Sequence, residues 1–395
     1  MNTRQALKVV EELRKGIPPI GFVEHFTVGR RSEIESLDKH LENPDSTVLL
    51  LKANYGSGKS HLLRLIREKA LRRGYAVSYV QLDAKSGVRF NRMDQILGAI
   101  LRTVELPGDQ NQPGLRGLLD YVTQAAEAAR RDGKPKFWRE LTNDWTWDFS
   151  EALDSSGFYV ALRAWMTGNA EAQELVVDWL LKSENYRAQR KLLYTQLVAD
   201  LRRHFRDPRP DSQFYQDDVF RFYGDDYRQS WEALADINKL LKHGGLSGLI
   251  ILFDEFEDVL TNLTRVDWQE KAFWNLFLFF SGKRFPGMTY YAVTPDFAKK
   301  CKHRLIQSGR LDFDYSRFDH LPTYAMSPLE VDELQELAGR IAAAHAVAYA
   351  YTPDSGLLER VRRVVIREAS SPVQDRARHT IREVVKTLDD AIEAA

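Results

Sequence analysis

The sequence predicts an α/β fold, a parallel sheet covered by helices on both faces, with a long helical stretch inserted and a helical C-terminal segment. Three observations lead there. An apolar strand from Thr47 to Lys52 runs straight into a glycine-rich turn, and an amphipathic helix follows from Ser60 to Arg73. A second strand, Tyr75 to Leu82, and a helix, Met93 to Val104, continue the alternation. Strand character then returns at Leu249–Phe253 and at Met288–Thr294.

Each element has a local reason. Met1 to Arg14 reads as a polar helix with Val9, Val10 and Leu13 along one side, broken by Gly16-Ile17-Pro18-Pro19-Ile20-Gly21. Ser32-Glu33-Ile34-Glu35 opens a second helix that ends before Asn43-Pro44. From Pro107 to about Gly245 the periodicity is helical and little alternates as a strand would. The tail from Ser327 is helical, with breaks near Tyr351-Thr352-Pro353 and Ser370-Ser371-Pro372. These readings divide the chain into 1–106 (N-terminal helices and first half of the core), 107–245 (helical insertion), 246–326 (second half of the core) and 327–395 (helical lid).

Composition narrows the class. With 44% hydrophobic and 11% aromatic residues the chain is globular rather than disordered. Fifty-six Lys plus Arg balance 56 Asp plus Glu, which excludes a wholesale polycation but not a local basic face. Cys301 is the only cysteine, so no intrachain disulfide forms. The longest apolar runs, Leu249–Phe253 and Leu276–Phe280, are too short to cross a bilayer, and a cytoplasmic location without membrane contact is expected.

The chemistry concentrates in the run Ala53-Asn54-Tyr55-Gly56-Ser57-Gly58-Lys59-Ser60. Small residues let backbone N–H groups wrap phosphates, Lys59 reaches the outer phosphates, and the Ser60 hydroxyl suits Mg²⁺. The helix that follows offers its N-terminus to the anion. ATP and Mg²⁺ are therefore the expected ligands. Ala53 stands where the pattern has its first glycine, a replacement that fails only if a positive φ is needed there. The apolar strand ending in Asp254-Glu255 is the second part: Asp254 is expected on the metal and Glu255 as the base that polarises water. Thr294, at the end of the next strand, is the candidate polar group between the acids and the γ-phosphate.

Together these residues resemble AAA+ ATPases, in particular the branch near the origin-recognition and STAND ATPases. Val28-Gly29-Arg30 looks like the segment that lines the adenine pocket in such proteins. Within that branch, Tyr55-Gly56-Ser57-Gly58-Lys59-Ser60-His61-Leu62-Leu63, the helical insertion, Gly248-Leu249 to Phe256-Glu257 and Arg378 to Val385 are similar to the ATP-binding proteins of BREX-type bacteriophage-defence systems. The resemblance implies a nucleotide contact by Val28, Gly29, Arg30 and His61, and a lid arginine on the γ-phosphate, Arg378, with Arg376 and Arg382 nearby. It also implies an arginine finger, a cation offered to a neighbouring subunit's nucleotide, among Arg304, Arg310 and Arg317, of which Arg310 is best placed.

The insertion holds Trp138, Trp145, Trp147, Trp165 and Trp179 near Lys134, Lys136 and Arg139. Tryptophans in helices are read as core before they are read as base-stacking platforms. A protein partner is expected on this module, self-association into a ring or dimer is expected of the whole, and the basic stretch Arg360, Arg362, Arg363, Arg367, Arg376, Arg378 and Arg382 is a candidate for phosphates of nucleic acid or of ATP, with a solvated surface as the alternative. The functional expectation is an ATP-hydrolysing machine that remodels or loads a partner on DNA, with a slow nucleotide-dependent switch as the alternative.

Overall fold

A computed structural model describes residues 1–43, 48–54, 56–108, 112–131, 135–143, 146–182, 187–207, 215–372 and 376–393. Its strands are β1 (Val48–Lys52), β2 (Tyr75–Gln81), β3 (Val104–Glu105), β4 (Gly248–Asp254), β5 (Met288–Val293) and β6 (Thr323–Ala325). They hydrogen-bond in the order β3-β2-β4-β5-β1-β6. β1 and β6 are parallel, with Leu50 opposite Thr323. β2 and β4 are parallel from Tyr75–Gly248 to Gln81–Asp254, and β3 is antiparallel to its neighbour β2. The α/β class is as expected; β3 and β6 are additions, each too short to show a period in sequence.

The chain forms two compact units: residues 1–69, 291–300 and 320–395, and residues 70–290 and 301–319. These boundaries do not follow the divisions at 107 and 245.

In the first unit, Asn2 and Gln5 form a capping box that starts the helix Thr3–Arg14. Its apolar side, Ala6, Val9, Val10 and Leu13, packs into one core with Leu334, Leu337, Ile341, Val361, Val365, Val384, Val385 and Leu388. Each fully buried Leu, Ile or Val there contributes about 1.5–3 kcal/mol. The extreme N-terminus is thus part of the C-terminal helical bundle of Val331–Tyr349, Ser355–Ala369 and Arg376–Glu393. Polar ties reinforce it: Arg14 donates to Asp389 at 2.8 and 3.0 Å, and buried His345 joins Asp389 and the Tyr351 hydroxyl, each at 3.0 Å.

In the second unit the helical stretch is built onto the strands. The helix Arg228–His243 packs on β4 and on the helix Met93–Thr103, which also receives Ala170–Leu181. Asn238 accepts the Leu249 N–H at 2.8 Å and donates to the Pro286 carbonyl at 3.2 Å, fastening that helix to the start of β4. Trp138, Trp147, Trp165 and Trp179 are buried core side chains, and Trp147 and Trp165 donate their indole N–H to Asp207 and Asp120. Lys136 and Arg139 are exposed, while Trp145 and Lys134 lie outside the described residues. No helix among the described residues is long and apolar enough to cross a membrane.

Candidate functional site

The glycine-rich loop belongs to the first unit. The apolar strand β1 is buried and delivers Ala53, whose N–H donates to the Val293 carbonyl at 3.1 Å and whose own carbonyl accepts from Lys59 Nζ at 3.1 Å. Ala53 is not among the residues with positive φ, so a methyl group is tolerated at that position. Gly56 and Gly58 have φ of +71° and +93°, the left-handed region that a side chain would strain. The Ser57 N–H turns back to the Asn54 carbonyl at 3.3 Å, and the helix Lys59–Arg72 opens directly after Gly58. Ser57 and Lys59 are buried, Ser60 and Gly58 half-buried, Asn54 and Gly56 exposed; Tyr55 lies outside the described residues.

The segment Val28-Gly29-Arg30 sits in the same unit, and its side chains take structural partners. Val28 is in the helical core beside Phe26 and Leu334. Gly29 has φ +61°, and a Cβ there would meet Glu333 Oε1 at 2.0 Å. Arg30 is buried: it donates to Glu33 at 2.8 Å, to the Ser57 carbonyl at 3.0 Å and to the Ser327 carbonyl at 2.5 Å. His61 is bonded through Nε2 to the Thr27 hydroxyl at 2.8 Å. Burial, then the charges of Arg30 and Arg64, push its pKa down to about 4, so the ring is neutral at pH 7 and adds no positive charge to the loop.

Arg376 and Arg378 occupy different places. A small pocket is lined by Gly56, Ser57, Pro328, Leu329, Leu334 and Ala377, with Arg376 at its edge donating to the Ser371 carbonyl. Arg378 is exposed and its stem lies over Gly16, where a Cβ would meet Cγ at 2.9 Å. Of the two arginines, Arg376 is the one that lines the pocket beside the loop. Helical phase explains the difference, since two positions along a helix turn a side chain by about 200°. Thr294 is buried and its hydroxyl bonds the Asp296 carboxylate, which Lys300 first and Thr294 next hold below the usual carboxylate range.

The acidic edge belongs to the second unit. β4 is buried along its whole length and ends at Asp254, which accepts the Glu255 N–H at 2.9 Å and a short hydrogen bond from the Tyr79 hydroxyl. Glu255 has φ +56°, a left-handed backbone that turns the chain out of the strand. Its half-buried carboxyl is raised above the usual range by burial and by Asp254, against a hydrogen bond to Gln81. Sequence reasoning missed Tyr79 and Gln81. Their signal was the β2–β4 register, which sets Gln81 opposite Asp254.

Arg310, the expected finger, is held by Asp267 and by Glu270 at 3.2 Å. Arg317 lies 4.5 Å over the Trp274 ring and pairs with Asp314 at 3.1 Å. Arg304 is exposed and has no side-chain partner among the described residues. In the basic stretch Arg360, Arg362, Arg363, Arg367 and Arg382 are all exposed; Arg363 pairs with Glu359, and Arg367 with Glu368 and Glu383.

Chemically the parts are an amide-rich loop with a buried lysine and a hydroxyl, and a strand end with two carboxylates. Hydroxyl and carboxylate oxygens are the hard donors that suit Mg²⁺. The chain is similar to the solved structure of the Aeropyrum pernix ORC2 protein (ADPNP–ADP complexes), with 11% identity and a TM-score of 0.41 over 93% of this chain and 69% of that one. No curated protein matches it. Over residues 1–194, which hold the glycine-rich loop and the Val28-Gly29-Arg30 segment, the chain matches the family described as BREX system ATP-binding protein BrxC/D.

Proposed function

We propose that this chain is an AAA+ ATP-binding protein of a bacteriophage-defence system that hydrolyses ATP with Mg²⁺. The observation that carries the reading is the loop itself: two left-handed glycines, a helix that starts at Lys59, and a buried lysine whose ammonium caps the loop's own Ala53 carbonyl until an anion replaces it. The match of residues 1–194 to a BREX ATP-binding family supports it. In this reading the amides of Gly56 to Ser60 hold the phosphates, and Ser60 and Asp254 hold the metal. Mg²⁺ bound there neutralises charge on the outer phosphates. Glu255 orients and deprotonates the attacking water, Arg376 takes the lid role and Arg304 the finger role. Thr294 remains the polar group proposed at the γ-phosphate. Self-association supplies the finger, a protein partner docks on the helical stretch 107–245, and DNA contact is assigned to the basic helix Ser355–Ala369, so that the protein loads or remodels its partner on DNA.

One pair of observations favours a second reading, a slow nucleotide-dependent switch: Gln81 holds Glu255, and two carboxylates hold Arg310. Turnover measured against protein concentration separates the two, because a finger in trans makes specific activity rise on assembly. The binding step is tested by Lys59→Ala, expected to weaken ATP affinity in calorimetric titration with Mg²⁺ by tenfold or more, about 1.4 kcal/mol. Unchanged affinity would remove the loop from the site.

A further inference from the structure

Arg30 is buried in the first unit. It presents five N–H groups in a rigid planar fork, and three acceptors meet it: the Glu33 carboxylate, the Ser57 carbonyl and the Ser327 carbonyl. Its side chain is 7% exposed and that of Glu33 6%, so Glu33 neutralises the charge locally while the other donors serve backbone. Those two backbone groups belong to different elements. Ser57 lies inside the glycine-rich loop. Ser327 follows β6, whose end is fixed by the Met326 N–H on the Lys52 carbonyl at 2.8 Å, and leads through Pro328 and Leu329 into the helix Val331–Tyr349.

We infer that Arg30 is a positioning residue that couples the lid to the phosphate loop, so that an anion seated in the loop is registered at the lid stem. The inference rests on the reading of Gly56 to Ser60 as a phosphate cradle. Its first part is the geometry of one peptide. A trans peptide unit is planar, with its C=O and N–H pointing in opposite directions. Holding the Ser57 carbonyl fixes that plane and turns the Gly58 N–H away from Arg30. Gly58 has φ +93°, so without the bond no Cβ on the Gly58 side opposes rotation of this peptide.

The second part is the shared donor group. Ser327 is held through Nη1 at 2.5 Å and Ser57 through Nη2 at 3.0 Å, on one flat guanidinium. Hydrogen bonds lose most of their strength beyond about 3.5 Å, so the lid stem cannot move by about 1 Å without releasing one carbonyl or turning the other. Two further contacts fasten the same helix to the same segment: Arg340 donates to the His25 and Thr27 carbonyls at 2.6 and 3.0 Å, and Glu333 packs on Gly29. Arg30 is the only one of the three that also reaches the loop.

Hydrogen–deuterium exchange on the full chain, with and without ADP, tests the coupling. In the wild type, ADP is expected to slow exchange in peptides covering residues 56–62 and 327–335 together. In Arg30→Ala, exchange in both segments rises before any nucleotide is added, ADP still protects 56–62, and protection at 327–335 is lost. Arg30→Lys, which keeps the charge but offers one compact head to three acceptors, falls between the two and serves if the alanine variant does not fold. A residue that only added stability would raise exchange yet leave the ADP response at 327–335 in place, and that outcome overturns the inference. So does an unchanged exchange pattern in the nucleotide-free variants. Failure of the wild type to bind ADP at all would sink the cradle reading, and is told apart because the nucleotide-free comparison does not depend on it.

Discussion

Gly29→Ala is the substitution whose cost can be worked out most directly. The backbone there has φ +61°, a conformation that costs an L-residue about 1–2 kcal/mol. The new methyl would also sit 2.0 Å from Glu333 Oε1 and 2.1 Å from Cδ, so the carboxylate has to leave. Glu333 accepts the Glu330 N–H at 2.7 Å as half of the capping box that starts the helix Val331–Tyr349, and losing such a cap costs about 1 kcal/mol. The two effects together come to about 2–3 kcal/mol. Urea unfolding followed by far-ultraviolet circular dichroism measures it, with Glu333→Ala and the double variant completing a cycle. Glu333→Ala alone is expected to cost about 1 kcal/mol. The double variant should lose less than the two single losses added together, because the methyl no longer meets the carboxylate. Stability of Gly29→Ala within about 0.5 kcal/mol of wild type, the usual range of harmless surface changes, would refute the argument. Strict additivity would refute the clash.

The remaining predictions concern the site. Glu255→Gln should keep ATP affinity within a few-fold and cut turnover about a hundredfold, as removal of a general base does; wild-type turnover in protein free of contaminating ATPase would dismiss Glu255. Because the Glu255 carboxyl is raised by burial and by Asp254, and a base must be ionised to act, wild-type turnover should fall with decreasing pH above the ordinary glutamate range. A pH–rate profile whose acid limb sits at the ordinary value would contradict that environment. Arg376→Ala should weaken ATP binding about tenfold, the cost of a hydrogen bond to a charged group, while Arg378→Ala stays near wild type; the opposite order would restore the sequence assignment.

Much of this was legible because the signals are local. β1 is a run of apolar residues that ends in glycines with required left-handed φ, and β4 is a run that ends in two carboxylates. The burial of the tryptophans also followed from ordinary packing. What was not legible depends on contacts far apart in sequence. Val9, Val10 and Leu13 mark an amphipathic helix, but nothing in them says that its partners lie more than 300 residues away. Arg310 looks available until Asp267 and Glu270, three positions apart on one helix face, are brought to it. Arg376 and Arg378 are indistinguishable by composition, and helical phase alone separates them. Arg30 carried a partial signal: Glu33 stands three residues on, at the spacing of an ion pair, and an arginine neutralised within its own helical turn has its donors directed before any ligand arrives.

The division into two compact units has an optical consequence. All eight tryptophans of the chain fall between residues 138 and 274, inside the unit 70–290. The other unit, with the glycine-rich loop, the Val28-Gly29-Arg30 segment and the C-terminal helices, has tyrosine as its strongest chromophore. Intrinsic tryptophan fluorescence therefore watches the half of the protein that carries the acidic strand end, and is blind by origin to melting that begins in the half that carries the loop. A tryptophan installed at Tyr349, which is 38% exposed at the end of the helix Val331–Tyr349, would give that half an emission of its own.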